Sequence, residues 1–164
     1  MWLFFKNLIF TVFVPGTVAV YIPYRIIKDQ FSFFNIHWGV LQILSVAFIL
    51  SGTLIYFWCL WHFAVTGRGT PAPIDAPKHL VIKGLYRYVR NPMYIGVLII
   101  IFGWAIFFES FSVLIYATLI WLIFQVAIMI IEEPILRRQF GKPYQDYCKQ
   151  VKRWIPTKGY RKKA

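Results

Sequence analysis

The chain has 164 residues, of which 59% are hydrophobic and 15% charged, and its formal net charge is +12. Soluble domains usually contain about 45–50% apolar and about 25% charged residues. No Asp, Glu, Lys or Arg occurs from 30 to 67, from 91 to 108 or from 110 to 131. A surface helix of a soluble protein needs a polar stripe. The composition therefore excludes an ordinary soluble fold and favours helices that cross a membrane.

The charge and the metal-binding residue types exclude two further classes. Basic residues cluster beside the apolar segments, where membrane topology and anionic lipid headgroups explain them without nucleic acid. Cys59 and Cys148 have no partner at a motif spacing, which argues against a disulfide or a thiolate metal site. His62 and His79 also lack neighbouring metal ligands. We predict no nucleic-acid partner and no metal.

Four apolar segments predict about four transmembrane helices. They cover approximately residues 7–27, 38–63, 92–108 and 112–131. Pro15 and Pro23 lie in the first, where proline is expected to kink or shorten a helix. The connection between the last two spans is so short that they must form an antiparallel hairpin. The predicted fold is an all-α integral membrane protein with a C-terminal helical hairpin.

The distribution of Lys and Arg predicts the orientation of these spans. Residues 66–91 contain five basic residues, the tail from Arg137 to Lys163 contains ten, and the turn at 109–112 contains none. The positive-inside rule then places both basic segments, and both termini, in the cytoplasm.

The basic tail also carries an apolar stripe at helical spacing, formed by Leu136, Phe140, Tyr144, Tyr147 and Val151. This spacing predicts an amphipathic tail helix, which Gly141 and Pro143 should break into two pieces. Two interpretations are open. The helix lies in the membrane interface, or it folds back over residues 66–91 and closes a pocket.

Glu132 and Glu133 are adjacent carboxylates at the predicted cytoplasmic end of the fourth span. At a helix C-terminus they oppose the helix dipole and repel each other, so they need compensating cations. Four arginines are candidates: Arg87, Arg90, Arg137 and Arg138. Alternatively, one carboxylate holds a cationic ligand, since acids at the membrane edge are often functional.

Four motifs in this part of the chain resemble the isoprenylcysteine carboxyl methyltransferase family. They are residues 79–96, the pair Glu132-Glu133, the pattern Phe140-Gly141-x-x-Tyr144-x-x-Tyr147, and Arg153-Trp154-Ile155-Pro156. That family and the related membrane phospholipid methyltransferases share a Gly-x-Tyr-x-x-x-Arg-His-Pro-x-Tyr signature, with a Glu pair after the last long helix. The resemblance covers approximately residues 66–156. The residues in these motifs are those of bacterial members, which implies that the protein lies in the inner (cell) membrane of a bacterium or archaeon.

The resemblance implies a single membrane methyltransferase domain over residues 1–164 that uses S-adenosylmethionine. A cofactor segment would cover residues 66–94 and a C-terminal lid residues 132–156. The implied cofactor contacts are Lys78, His79, Leu80, Val81, Tyr86, Asn91, Pro92, Met93, Tyr94 and Glu132. The aromatic faces among them suit a sulfonium, because electron-rich rings attract cations.

Catalytic roles are assigned to Glu132, Arg90 and Glu133. Glu132 would neutralise the cofactor ammonium, and Arg90 would pair with the cofactor carboxylate or with Glu132 itself. Transfer to a carboxylate or thiolate needs no base, whereas transfer to an amine would use one of the two glutamates.

Two positions depart from the family pattern. Asn91 replaces the usual His, and an amide can form hydrogen bonds but cannot shuttle a proton near neutral pH. Ile128 stands where isoprenylcysteine enzymes have an Arg that holds the substrate carboxylate, a role that Arg137 or another basic residue would have to take.

The leading hypothesis is thus a membrane methyltransferase that acts on a lipophilic small molecule or lipid, surrounded by membrane lipids and without an obligate protein partner. Alternatives within the class are a phospholipid N-methyltransferase and a small-thiol S-methyltransferase. From other classes, a non-catalytic membrane subunit that binds lipid or a partner and a membrane sterol reductase remain open.

Overall fold

The computed structural model describes residues 2–29, 38–67 and 79–161. These residues form helices and connecting turns without any strand, which confirms the predicted all-α fold. The α-helices are α1 (Trp2–Phe13), α2 (Ile22–Ile27), α3 (Val40–His62), α4 (Pro92–Phe107), α5 (Phe111–Ala127), α6 (Glu133–Phe140) and α7 (Lys142–Gln150). Three π-helical segments, Thr17–Tyr21, Phe63–Gly67 and Ile128–Glu132, continue or join them, and Gly84–Arg87 is a 3₁₀ helix.

Three helical stretches of the described residues are long and apolar enough to cross a membrane. They are Leu8–Ile27, Val40–Gly67 and Phe111–Phe140. The remaining apolar helix, α4, has only 16 residues and begins at Pro92, a residue well suited to a first helical turn. At a rise of about 1.5 Å per residue it is shorter than a hydrocarbon core of about 30 Å. The chain is an integral membrane protein with three full-length apolar helices and one short one.

The first span changes helix type near Pro15, while the predicted kink stays a prediction. α1 ends at Phe13, and the chain then continues through Pro15 into the π-helical segment Thr17–Tyr21 and α2. Pro15 lacks an N–H and its ring occupies the place of the preceding turn, so a regular α-helix cannot pass through it. The first span is therefore helical along its length but changes helix type at its middle.

α3 and α4 pack closely because glycines face each other. A Cβ on Gly52 would lie 2.6 Å from the carbonyl oxygen of Gly96, and a Cβ on Gly96 would lie 2.8 Å from that of Gly52. Gly103, two turns further along α4, would similarly collide with Ile49. Small residues let helix backbones approach closely inside a membrane. This contact holds the start of α4 in place.

The helix that contains the fourth span continues past Ile131, while the bounds of the span in the membrane stay a prediction. α5 passes into the π-helical segment Ile128–Glu132 and then into α6, which reaches Phe140. The N–H of Glu133 donates to the carbonyl of Ile128, five residues back. Pro134 lies in the first turn of α6 and lacks a donor, and the π turn accommodates this gap. The two glutamates therefore lie inside a continuous helix, where the argument from the C-terminal dipole does not apply.

The tail helix breaks where the sequence predicts. Gly141, between α6 and α7, has φ +56° and ψ −130°, a conformation that side chains other than hydrogen strongly disfavour. α7 then begins at Lys142 with Pro143 in its first turn. The break turns the tail away from the fourth span and back toward the loop before α4.

Candidate functional site

A cavity lies between the first span, the hairpin of α4 and α5, and the tail. Its volume is about 140 Å³, much larger than the ~10–15 Å³ that one water requires. The spans contribute apolar lining, which includes Phe10, Val14, Val18, Val97, Phe124 and Ile128. The loop, the tail and the helix ends contribute polar lining, which includes Tyr86, Arg90, Asn91, Tyr94, Glu132, Glu133, Tyr144 and Tyr147. The cavity thus has an apolar part and a polar part.

The loop before α4 forms one wall. Its 3₁₀ helix begins at Gly84, whose φ is +58° and whose Cβ, if present, would lie 2.6 Å from Nε2 of His62. This close approach brings Tyr86 inward, where its ring packs on Phe63 with centroids 5.3 Å apart. Tyr86 is buried, and burial raises its pKa well above the usual value for a phenol. It is therefore a neutral phenol at neutral pH.

The tail lies over this loop, as the second interpretation of the amphipathic stripe predicted. The Tyr147 hydroxyl donates to the Tyr86 carbonyl oxygen at 2.5 Å. Further along, the N–H of Arg90 donates to the carbonyl of Lys152 at 2.9 Å, and the N–H of Thr157 donates to that of Tyr88 at 2.8 Å. Tyr144 and Tyr147 are 4% and 3% exposed, so the contact is a packed one. The tail therefore closes the cavity in this structure, while its action as a lid stays a prediction.

The two glutamates have different surroundings. Glu133 is surrounded by arginines: Arg153 approaches with Nε at 2.6 Å and Nη2 at 3.0 Å, Arg90 with Nη1 at 3.2 Å, and Arg137 with Nη2 at 3.4 Å. Its side chain is only 6% exposed. The bond from Arg153 also raises the pKa of that guanidinium. Glu133 is thus a buried, fully compensated carboxylate.

Glu132 forms no ion pair with any cation in the described part of the chain. It accepts a hydrogen bond from the Tyr94 hydroxyl, and the Tyr94 ring packs on Phe124 with centroids 4.5 Å apart. Glu132 and Tyr94 both line the cavity. A carboxyl group beside aromatic faces is an arrangement that suits a cationic ligand. Each of the two interpretations of the pair therefore fits one glutamate. Glu133 is salt-bridged, and Glu132 is available to a ligand.

Arg90 pairs with Glu133 and not with Glu132. Its Nη1 also donates to Cys148 Sγ at 2.7 Å, while its Nε is buried without a hydrogen-bond partner among the described residues. A buried donor without a partner is costly and usually indicates a missing acceptor. Arg90 lines the cavity, so a ligand with a carboxylate would supply one.

Most of the predicted cofactor residues meet at this cavity. Its lining includes Leu80, Val81, Tyr86, Asn91, Met93, Tyr94 and Glu132, with the predicted catalytic residues Arg90 and Glu133. His79 is exposed and does not line it, and Pro92 is buried at the start of α4 without lining it. Lys78 lies outside the described residues. The cofactor role of all these residues stays a prediction.

Sequence reasoning missed two parts of the site. The first span lines the cavity through Phe10, Val14, Pro15 and Val18, although it carries no family motif. The only signal in that segment is the Pro15-Gly16 break. The second omission is Arg153, the nearest cation to Glu133, which the sequence placed in a motif but not in the ion-pair cluster. No group of three or more metal-ligating side chains occurs among the described residues.

Comparisons with known proteins give one family match and one similar protein. The sequence model of the phospholipid methyltransferase family matches residues 40–143. The chain is also similar to the protein-S-isoprenylcysteine O-methyltransferase of Schizosaccharomyces pombe (strain 972 / ATCC 24843), with 37% identity over 78 residues. That match covers 47% of this chain and 33% of the relative, so the chain spans about a third of the length of this curated relative. No solved structure matches.

Proposed function

Because the chain belongs to the phospholipid methyltransferase family, we propose that it is a membrane enzyme that methylates an amphiphilic substrate with S-adenosylmethionine, in the manner of isoprenylcysteine carboxyl methyltransferase. One observation carries this proposal. Glu132 is a carboxylate without a cation partner among the described residues, and it faces an aromatic-lined cavity closed by the tail.

The polar lining fits the methionine part of the cofactor, which carries an ammonium, a carboxylate and a sulfonium. Glu132 would hold the ammonium, and the unpartnered Nε of Arg90 would donate to the carboxylate. The rings of Tyr86 and Tyr94 would face the sulfonium. When bound, the cofactor supplies an electrophilic methyl group.

The chain itself contributes a closed environment and alignment. Apolar side chains of the spans exclude water from the reacting groups, which favours a reaction between opposite charges. A carboxylate or thiolate attacks through its own lone pair, so no residue of the chain has to move a proton. The site would also lower the barrier to methyl transfer by holding the nucleophile, the methyl carbon and the sulfur in line. This mechanism needs no catalytic triad.

The apolar lining fits the lipophilic part of the substrate. Val14 lines the cavity and is 49% exposed. We infer that the cavity opens toward membrane lipid near Pro15. A long hydrocarbon chain would lie along this side, with its polar end toward Glu132.

A second substrate class is favoured by one specific observation. Arg90 is the only cation among the described lining residues, and Glu133 already neutralises it. Ile128 is 1% exposed and offers no charge. The described cavity thus lacks a free cation for a substrate carboxylate, which favours the amine of a phospholipid headgroup. In that reaction the amine would lose one proton, and one of the two glutamates would be the candidate base.

The cellular setting follows from the same proposal. Residues 79–91 and the tail lie at one end of the bundle, opposite the turn at Glu109, where Gln42 Nε2 donates to Glu109 Oε1 at 3.2 Å. The basic residues concentrate at the first of these ends. The positive-inside rule would place that end, with both termini, in the cytoplasm of a bacterial or archaeal cell.

Labelled cofactor binding and transfer test this function. Purified protein in detergent is expected to bind labelled S-adenosylmethionine saturably and to transfer label to one member of a panel. The panel holds acetyl-farnesylcysteine, phosphatidylethanolamine, a small thiol and a host lipid extract. Label on acetyl-farnesylcysteine supports the first substrate class, and label on phosphatidylethanolamine supports the second. Absence of saturable cofactor binding would reject the enzyme and leave a non-catalytic membrane subunit.

A further inference from the structure

The fourth span contains a π-helical turn that ends at Glu132. A π turn closes its hydrogen bonds five residues back, as Glu133 N–H does on the Ile128 carbonyl. Residues after such a turn are rotated about the helix axis, relative to an uninterrupted α-helix. Ile128 and Glu132, the first and last residues of this turn, both line the cavity. The turn therefore belongs to the site.

Two consecutive tail residues hold the fourth span on either side of this turn. Before it, Gln125 Oε1 accepts a hydrogen bond from Trp154 Nε1 at 2.7 Å. After it, Glu133 accepts two bonds from Arg153, at 2.6 and 3.0 Å. π turns are rare, and an unfavourable backbone conformation persists only where its surroundings enforce it. These two contacts lie on either side of the turn and come from adjacent residues of the tail.

The tail at this point is itself fixed to the opposite wall of the cavity. The carbonyl of Arg153 accepts from the Asn91 N–H and from Asn91 Nδ2, both at 3.3 Å. The carbonyl of Lys152 accepts from the Arg90 N–H at 2.9 Å. The tail thus joins the loop before α4 to the π turn of the fourth span.

We propose that Arg153 and Trp154 are positioning residues that set the π turn and thereby direct Glu132 into the cavity. Neither side chain is part of the lining that the structure describes, so neither is a catalytic residue. They act through Glu133 and Gln125. The inference rests on the proposed function, in which Glu132 binds the cofactor ammonium.

The test compares Trp154→Phe in two backgrounds, the unmodified protein and Glu132→Gln. Dissociation constants for labelled S-adenosylmethionine are measured on purified protein in detergent. Trp154→Phe keeps an aromatic ring but removes the bond to Gln125, so it should weaken binding about fivefold in the unmodified background. In the Glu132→Gln background the same change should alter binding less than about twofold, because its target is gone. An equal factor in both backgrounds would show a merely structural role and overturn the proposal.

Matched variants separate the remaining outcomes. Trp61→Phe makes the same substitution at a side chain that is 68% exposed, and it should leave binding unchanged. Gln125→Glu keeps an acceptor for the indole and should retain binding, whereas Gln125→Leu should reproduce Trp154→Phe. Unmodified protein that binds no labelled cofactor overturns the proposed function and this inference with it. Cofactor binding that neither Trp154→Phe nor Gln125→Leu changes overturns the positioning role alone.

Discussion

Tyr94, in the first turn of α4, donates its hydroxyl hydrogen bond to Glu132 in the π turn of the facing helix. The bond joins the two helices of the hairpin at the end where the cavity lies. No cation among the described residues pairs with the carboxylate of Glu132, whose second oxygen is not bonded by Tyr94. Glu133, the next residue, is neutralised by three arginines. Adjacent residues of the same type therefore have different surroundings, and two variants can test whether their roles differ as well.

Glu132→Gln should reduce cofactor affinity about 10- to 100-fold, because a hydrogen bond to a charged group contributes about 1.5–3 kcal/mol. The fold should be retained, since the amide can still accept the bond from Tyr94. Affinity is measured with labelled S-adenosylmethionine. Glu109→Gln is the control, because Glu109 lies exposed at the opposite end of the bundle. Unchanged affinity in Glu132→Gln would remove Glu132 from the site.

Glu133→Gln should instead destabilise the protein, by on the order of 3 kcal/mol. Arg90, whose side chain is 11% exposed, would keep its charge without a counter-ion. The midpoint of thermal unfolding in detergent gives the measurement. Asp146→Asn breaks an ion pair with Lys149 whose side chains are 41% and 75% exposed, and it should have almost no effect. Equal midpoints for the two variants would contradict the assigned role of Glu133.

The membrane fold is predictable from sequence because the length of the hydrocarbon core imposes long uncharged runs. The helix break at Gly141 is predictable for a local reason, the positive φ at that glycine. The π turn, by contrast, is not predictable from its own residues. Nothing between Ile128 and Glu132 requires it, since it depends on contacts from Arg153 and on Pro134 beyond the segment.

The site was predictable only where motifs cover it. The glutamate pair was identified from its charge, but two adjacent acids look alike in sequence, and only the folded structure shows that the arginines surround Glu133 and not Glu132. The contribution of the first span was not predictable, because Phe10 and Val14 resemble any lipid-facing residues until α4 and α5 are placed beside them. Long-range packing supplies this information.

Gly96→Ala should destabilise the bundle by about 1–3 kcal/mol, the usual cost of overpacking a close contact. The added methyl would meet the backbone oxygen of Gly52 at 2.8 Å, and a backbone atom cannot move aside as a flexible side chain can. Ser51→Ala, at an exposed neighbouring position, is the control. Thermal midpoints in detergent are compared. If Gly96→Ala melts at the same temperature as Ser51→Ala, α3 and α4 are further apart than this contact implies.

Alkaline pH should loosen the tail from the loop. Burial raises the pKa values of Tyr86, Tyr144 and Tyr147 above the usual value of about 10, although the charge of Arg90 partly opposes the rise at Tyr144 and Tyr147. An unfolded phenol ionises first, so the stability from these residues is complete below about pH 10 and is lost as the pH rises through the folded values. Thermal midpoints between pH 8 and pH 11 should therefore fall steeply above pH 10.

Tyr147→Phe distinguishes this effect from general alkaline denaturation. The variant lacks one titrating hydroxyl and the bond to the Tyr86 carbonyl, so it should be about 1 kcal/mol less stable at pH 8. Its fall above pH 10 should be shallower, because one fewer buried phenol resists ionisation. Tyr88→Phe, at a side chain that is 44% exposed, should follow the unmodified protein at every pH. If Tyr147→Phe falls as steeply as the unmodified protein, the Tyr147 hydroxyl does not couple the tail to the loop.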